Sequence, residues 1–169
     1  AIAVLDPKRS DCSYPFKELC GCGVGFKLIQ ALGQQFSESI DDLSPYLDLV
    51  ATAIGADIVP VVGENRILAY YGLEVLNSKP RVGFQALIQH TKKETLSLTD
   101  VVFVIAPRIN AAGRMKHGNY AVSLLKGVDA TKAQAASEAI ETFNTTRRIL
   151  DLEITKAALL QIEKNQEQN

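Results

Sequence analysis

The sequence IAPRINAAGRM, residues 105–115, combines residue types that ordinary helices and strands do not need together. An apolar run leads into Pro107, and two arginines, Arg108 and Arg114, flank Asn110 and a step of small residues whose glycine can adopt a positive φ. Small residues let a phosphate approach the backbone closely, and arginine binds phosphate oxygens through parallel N–H groups. The alternative is a helix broken at the proline, with both arginines in solvent. The stretch is therefore a candidate phosphate-binding segment.

The composition is typical of a soluble globular protein: 169 residues, 47% of them apolar and 22% charged. This length supports one hydrophobic core, or a core with an appendage. No stretch approaches the eighteen or so uninterrupted apolar residues of a membrane span, and the N-terminal AIAVLDPKR does not have the pattern of a signal peptide. These features predict a cytoplasmic protein without a membrane partner.

Three cysteines, Cys12, Cys20 and Cys22, lie in one short segment. Their odd number and close spacing argue against a disulfide framework. A zinc site would need a fourth ligand, and the two histidines, His90 and His117, are distant in sequence. The cysteines therefore indicate a reducing compartment and not a structural metal site.

Charge changes sign along the chain, although the net charge is only −1. Residues 34–77 contain seven acidic side chains and one basic side chain, Arg66, whereas residues 78–128 contain eight basic and two acidic side chains. A site that holds both cations and a polyanion would need such a division, but ordinary solvated faces also produce it. Charge alone leaves both interpretations open.

The hydrophobic pattern predicts a mostly helical chain. Residues 1–5 form an apolar run that fits one short buried strand. A run at residues 101–106 fits a helix somewhat better than a strand, and Pro107 is expected to stop it. Other helices are predicted over residues 21–32, 44–57, 64–77 and 118–127, and from about residue 129 to the C-terminus, and residues 82–90 form a short amphipathic segment.

Three alternate glycines, Gly21, Gly23 and Gly25, lie at the start of the first predicted helix. Glycines at a helix N-terminus can bring backbone N–H groups to a phosphate. Their spacing is not that of a dinucleotide-binding site, because the G-x-G-x-x-G pattern is not met. We therefore favour close packing of backbone against backbone as the role of these glycines.

Asp57 lies near the end of the second predicted helix, for which Ser44 is the expected N-cap. Its neighbours, Ala56 and Ile58, are apolar, and a carboxylate in such surroundings is costly to bury unless it meets a cation, a metal or several donors. A capping or turn role is the alternative. The local sequence does not decide between them.

The last predicted helix has a thin apolar stripe and polar faces. Such a helix suits bridging or lying across a domain. A coiled coil is the alternative, but the stripe lapses at Thr146 and Arg147, so a monomer is favoured.

Three segments, LDPKRSDCSYPFKELCGCGVGFKL, YLDLVATAIGADIVPVVGENRILAYYGL and IAPRINAAGRM, together resemble the RecJ-type single-stranded-DNA-specific exonucleases of the DHH phosphoesterase superfamily. The resemblance covers most of the chain. It implies that Asp57 is a ligand of a catalytic Mn²⁺ or Mg²⁺ centre and that the IAPRINAAGRM segment lies against the DNA backbone. By this resemblance, Arg108, Asn110 and Arg114 would bind phosphate. The basic residue Lys116 and the adjacent His117 are further candidates for the same polyanion contact.

The sequence also departs from that family. The Asp-His-His triplet and the earlier aspartates are absent, and Cys20 and Cys22 stand where the family has small residues, which favours both thiols as packing groups. The resemblance implies that residues 1–128 are the C-terminal part of a DHH domain, which is α/β with a parallel sheet in the parent protein. Residues 129–169 would be the helix that connects it to a DHHA1 domain. We expect this segment to be predominantly α-helical, with one short N-terminal strand and a long C-terminal helix.

The function implied by the resemblance is two-metal hydrolysis of phosphodiester bonds in single-stranded DNA, in DNA repair and recombination. Only one metal ligand is matched, so the isolated chain is expected to be inactive. Another DHH phosphoesterase, acting on oligonucleotides or nucleotide phosphates, would share Asp57 but not the IAPRINAAGRM segment. A non-catalytic helical interaction module would depend on the last helix.

Overall fold

A computed structural model describes residues 4–91, 93–115 and 117–166, and this part of the chain consists of helices and connecting segments without a β-strand. The α-helices, in order, are α1 (Gly21–Gln35), α2 (Ile40–Leu43), α3 (Leu47–Ala56), α4 (Gly63–Ser78), α5 (Val82–Ile88), α6 (Leu98–Asp100), α7 (Ala106–Met115), α8 (Asn119–Lys126) and α9 (Ala130–Gln166). The prediction of a predominantly helical chain with a long C-terminal helix is confirmed.

The predicted N-terminal strand is wrong for the two of its residues that the structure describes. Val4 and Leu5 have no regular secondary structure and are exposed, while residues 1–3 lie outside the described residues. A strand needs a neighbouring strand for its backbone hydrogen bonds, and the described part of the chain offers none.

Helix α3 lies between two hydrophobic clusters. Ala51 packs in one cluster with Phe84, whereas Val50 and Ile54 pack in the other with Phe26. Burial on more than one side explains why α3 is apolar around most of its circumference. Because α3 contacts α1, α4 and α7, it fixes the relative positions of these helices.

The predicted N-cap of α3 is wrong, because the chain enters this helix through an additional helical turn. Ser39 caps α2 in a reciprocal arrangement with Asp42: the Ser39 hydroxyl oxygen accepts from the Asp42 N–H, and the Asp42 carboxylate accepts from the Ser39 N–H. Ser44 lies in the 3₁₀ turn Ser44–Tyr46, where its hydroxyl donates to the carbonyl of Asp41. The capping box at Ser39 satisfies two backbone donors and so starts the helical segment earlier.

Pro107 does not stop the helix that contains it, so that prediction is also wrong. A π-helix, Val101–Ile105, directly precedes α7, and the N–H of Ala106 donates to the carbonyl of Val101, five residues back. Proline has no N–H, and its ring collides with the carbonyl four residues earlier in an α-helix. The wider π turn accommodates both effects. The preference for helix over strand at residues 101–106 is confirmed.

Two glycines allow helices to approach closely. At Gly72 in α4, an added Cβ would lie 2.2 Å from the carbonyl oxygen of Leu47, and at Gly83 in α5 it would lie 2.4 Å from that of Leu124. A side chain at either position would force the helices apart.

A buried ion pair joins α3 to the start of α5. The carboxylate of Asp48 accepts from Nε and Nη2 of Arg81 at 2.8 and 2.6 Å and from the Arg81 N–H at 3.3 Å. The guanidinium also donates to the carbonyls of Pro45 and Leu125. Arg81 thus connects α3, α5 and α8 through one side chain.

Helix α9 packs only along its first half. Ala133, Ser137, Ile140 and Asn144 are buried at helical spacing, whereas every side chain from residue 148 to residue 165 is exposed. Among the helices that the structure describes, none combines the length and the hydrophobicity needed to cross a membrane.

Candidate functional site

The predicted metal ligand, Asp57, lies exposed at the C-terminal end of α3. Its N–H donates to the carbonyl of Ala53 at 2.9 Å, and within the described ranges its carboxylate has no hydrogen-bond or ion-pair partner. The next residue, Ile58, has a φ of 53° and is 79% exposed. A β-branched residue rarely adopts this conformation, and such outliers cluster at functional sites. The strained turn leaves the Asp57 carboxylate open to solvent.

The N-terminus of α1 lies close enough to Asp57 for electrostatic interaction. Neighbouring atoms partly shield the Cys22 thiol from water and raise its pKa to about 11, although the residue as a whole is exposed, and the charges of Cys20 and Asp57 add to this effect. Burial and the charge of Asp57 also raise the pKa of Cys20. Both thiols are therefore protonated at neutral pH, and metals bind the thiolate form. The prediction that both thiols are packing groups is confirmed for Cys20, which is buried, and is wrong for Cys22, which is exposed.

The three glycines at this helix end do not pack backbone against backbone. Gly21 and Gly25 are exposed, and a Cβ added at either would meet no atom within 4 Å. Gly23 alone is packed, with its added Cβ 3.3 Å from the side chain of Leu19. Its N–H donates to Sγ of Cys20, which caps α1. The predicted close packing is therefore wrong for Gly21 and Gly25, because they face open space.

The described side chains do not form a complete metal centre. They contain no group of three or more histidine, cysteine, aspartate or glutamate side chains that could hold a metal ion. Mg²⁺ and Mn²⁺ favour several oxygen ligands held in a defined geometry. Asp57 could supply one such ligand, and the residues around it do not supply the others.

Arg108 is turned towards α9. Its Nε and Nη2 donate to the two carboxylate oxygens of Glu141 at 2.5 and 3.1 Å, and its Nη1 donates to the carbonyl of Val104 at 2.7 Å. The Arg108 side chain is only 13% exposed. Nothing in the local sequence marks Glu141 as this partner, because it lies 33 residues from Arg108. The structure thus places Arg108 within the interface between α7 and α9.

Asn110 and Arg114 lie on a different side of α7. Both are exposed and have no hydrogen-bond partner among the described residues. They are four residues apart and so share a face of the helix. At about 100° per residue, they lie roughly 200° and 240° around the helix from Arg108. The structure therefore brings Asn110 and Arg114 together but separates both from Arg108.

His117 follows α7 and is exposed. Its Nδ1 accepts from the N–H of Asn119 at 3.2 Å, so Nε2 carries the hydrogen when the ring is neutral. Lys116, the other predicted phosphate-binding residue of this segment, lies outside the described residues. Gly113 lies inside α7 without a positive φ and faces open space.

Asp57 and Arg114 lie in different parts of the fold. A Cβ added at Gly55 would lie 2.9 Å from the side chain of Val101, so the end of α3 packs at the start of the π-helix. Arg114 lies at the other end of this helical run, about 20 Å further along at 1.5 Å per residue. Recesses of about 570 and 860 Å³ flank α1, but neither is lined by Asp57 or by residues of α7. The candidate residues therefore form two separate exposed surfaces.

The chain is similar to known nucleases over nearly its whole length. It is 38% identical over 164 residues to the single-stranded-DNA-specific exonuclease RecJ of Bacillus subtilis, an alignment that covers 96% of this chain and 20% of that protein. It also matches crystal structures of RecJ from Thermus thermophilus. The Mn²⁺ complex has a TM-score of 0.81 at 33% identity and the Mg²⁺ complex a TM-score of 0.79 at 32% identity, covering 88% and 86% of this chain. No family model matches the chain.

A shared fold at more than 30% identity goes beyond a general likeness between helical proteins, and the relatives are RecJ exonucleases. Over nearly its whole length, the chain is similar to one segment of RecJ. It spans about a fifth of the length of the Bacillus subtilis protein, and 22% and 23% of the two crystallised chains.

Proposed function

We propose that this chain is part of a metal-dependent exonuclease that hydrolyses phosphodiester bonds in single-stranded DNA, with a role in DNA repair and recombination. The proposal depends chiefly on the 38% identity to Bacillus subtilis RecJ across 96% of the chain. That relative is a single-stranded-DNA-specific exonuclease, and the structural relatives are complexes with Mg²⁺ and Mn²⁺.

In this proposal, Asp57 supplies one carboxylate to the divalent metal centre. Its exposed, unpaired side chain at the end of α3 suits this role. Because the described residues provide no further group of ligands beside it, no catalytic step can be assigned to them. The isolated chain is accordingly expected not to hydrolyse DNA.

A nuclease assay tests this expectation. The purified chain is incubated with an end-labelled single-stranded oligonucleotide and Mn²⁺ or Mg²⁺, and the products are separated by length. We expect no degradation above that of the buffer. Degradation by the chain that the Asp57→Asn variant abolishes would contradict the expected inactivity of the isolated chain, whereas equal degradation by both proteins would identify a contaminating nuclease.

The second part of the proposed function is a phosphate contact on the outer face of α7. Among the basic side chains of residues 78–128, Arg81, Lys93 and Arg108 are paired with carboxylates. Arg114 has no such partner within the described residues and lies beside the unpaired amide of Asn110. A free guanidinium with an adjacent amide suits a phosphate of the DNA backbone. His117 and Lys116 follow in the chain and would extend this contact.

The salt dependence of DNA binding tests the role of Arg114. Each neutralised phosphate of single-stranded DNA contributes about −0.7 to the slope of log K against log salt. We expect Arg114→Gln to weaken binding and to make the slope shallower by about 0.7. Lys156→Gln removes one exposed positive charge from the second half of α9 and serves as the matched control. Equal slopes for the two variants would argue against Arg114 as a phosphate ligand.

A further inference from the structure

We propose that Arg108 and Glu141 form a clasp that fixes the direction of α9 relative to α7. Glu141 and Arg108 are then positioning residues, and the phosphate contact belongs to the opposite face of α7. The clasp itself is independent of the proposed function, whereas the division of roles between Arg108 and Arg114 depends on it.

The first support is the geometry of the pair. Both carboxylate oxygens of Glu141 accept from Arg108, in the bidentate arrangement that gives an ion pair a defined orientation. The Arg108 side chain is 13% exposed and the Glu141 side chain 32% exposed, so water competes for the pair less than at an open surface. A phosphate could reach the guanidinium only by displacing Glu141.

The second support is the position of Arg108 on its helix. Asn110 and Arg114 face solvent, while Arg108 lies roughly 200° and 240° around the helix from them. One DNA backbone lying along the exposed face would contact Asn110 and Arg114 and would not reach Arg108. The three side chains therefore do not form one phosphate-binding surface.

The third support is the place of the clasp in the fold. The Nη1 of Arg108 donates to the carbonyl of Val104, so the guanidinium connects the π-helix to α9. On α9, Glu141 lies between the last buried positions, Ile140 and Asn144, and the described side chains are all exposed from residue 148 onward. The clasp is therefore located where α9 leaves the folded body.

This location makes the far end of α9 sensitive to the clasp. Residue 165 lies about 36 Å beyond Glu141 along the helix axis, so a rotation of about 10° at the clasp would move that end by roughly 6 Å. If the geometry of the Arg108–Glu141 pair becomes variable, the distances from the folded body to the second half of α9 should therefore be broadly distributed.

A distance measurement on the full chain tests the clasp. Spin labels are attached through a genetically encoded ketone amino acid at the exposed positions Tyr70 in α4 and Leu160 in α9, since native cysteines complicate thiol labelling. We expect one narrow distance distribution for the parent chain and a broadened or shifted one for Glu141→Gln. Glu138→Gln removes the same charge from an exposed position on α9 and is expected to keep the parent distribution.

The same two variants test the division of roles in DNA binding. With Arg108 as a positioning residue, Glu141→Gln leaves the salt slope equal to that of Glu138→Gln. If Glu141 instead restrained a phosphate ligand, its neutralisation would free Arg108 and steepen the slope by about 0.7. An unchanged distance distribution in Glu141→Gln, or a steeper slope in this variant alone, would overturn the proposal.

Two possible failures, misfolding of Glu141→Gln and absence of DNA binding, still leave the clasp testable. If Glu141→Gln does not fold, Arg108→Lys replaces it in the distance measurement, because lysine keeps the charge but cannot bind a carboxylate bidentately. If the chain does not bind DNA, the proposed function fails, while the distance measurement still decides whether the clasp exists.

Discussion

Asp48 is a buried carboxylate whose charge is balanced by one arginine, so the fold is sensitive to substitution at this residue. Its partner Arg81 is largely covered and also serves two backbone carbonyls. Removing one member of a buried pair leaves the other charge without compensation, which typically costs about 3–5 kcal/mol. The arrangement therefore contributes specificity to the junction of α3, α5 and α8.

We expect Asp48→Ala to lower the free energy of unfolding by about 3–5 kcal/mol in urea titrations followed by circular dichroism. Asp151→Ala breaks an ion pair with Arg147 whose carboxylate is mostly exposed, and it is expected to cost less than about 1 kcal/mol. Similar losses in the two variants would show that burial does not set the contribution of the Asp48 pair.

Asp100 gives the fold a dependence on acidic pH. A hydrogen bond from Lys93, with further bonds from the backbone and hydroxyl of Ser97, lowers the pKa of Asp100 from its ordinary value of 3.8 to about 2. A depressed pKa means that the folded state favours the ionised form. The resulting stabilisation is complete above the ordinary pKa and is lost as pH falls through about 2.

The corresponding experiment compares the parent chain with Asp100→Asn in urea titrations between pH 5 and pH 2. The difference in free energy of unfolding should be constant at the upper end and should shrink as pH falls below about 4. A difference that stays constant down to pH 2 would mean that the pKa of Asp100 is not depressed.

Substitution by alanine is expected to have opposite effects on stability at two helical glycines, because one is tightly packed and the other is not. We expect Gly72→Ala to destabilise the protein by about 1–3 kcal/mol, because the new Cβ would overlap the backbone of α3. Gly25→Ala makes the same change in α1 where the space is open, and should gain about 0.5–1 kcal/mol from helix propensity. Thermal unfolding of both variants measures the contrast, and equal signs would contradict it.

The bounds of a helix can be predicted from neighbouring residues, whereas the effect of a proline on a helix cannot. Helix α4 was predicted over residues 64–77 and is found at Gly63–Ser78, because apolar periodicity and capping residues are properties of neighbouring positions. The effect of Pro107 was mispredicted, because the outcome depended on whether the preceding turn could widen. No local pattern distinguishes a proline that ends a helix from one that follows a π-helix.

For the candidate site, the sequence likewise predicts some features, while others depend on the tertiary structure. Motif resemblance identifies Asp57 and the α7 residues as candidates, and these roles stay predictions. The side-chain directions could not be read from the motif, since the partner of Arg108 is 33 residues away on another helix. The open space around Gly21 and Gly25 was also unpredictable, because it depends on how α1 packs.

The folded body should keep its stability when the second half of α9 is removed. Every side chain from residue 148 to residue 165 is exposed, so these residues add little burial to the rest of the chain. We expect truncation after Leu152, which keeps the Arg147–Asp151 pair, to change the free energy of unfolding by no more than about 0.5 kcal/mol. A loss above about 1 kcal/mol would reveal contacts of the distal helix with the body.

The separation of Asp57 from Arg114 has a consequence for the whole molecule. The two lie near opposite ends of one helical run, so this chain presents its candidate metal ligand and its candidate phosphate contact on different surfaces. Metal binding and DNA binding by the chain should therefore vary independently, and substitutions at one surface are useful controls for the other.

The π-helix before Pro107 also sets the angular register of everything that follows it. A π turn amounts to one residue more than an α-helical path of the same length would hold. Deleting one residue from Val101–Ile105 would restore an α-helical path and rotate α7 by about 100° about its own axis. Arg108 would then point away from Glu141, and a different face of α7 would meet α9. The pairing of Arg108 with Glu141 therefore depends on the number of residues in the π-helix as well as on the presence of an arginine at position 108.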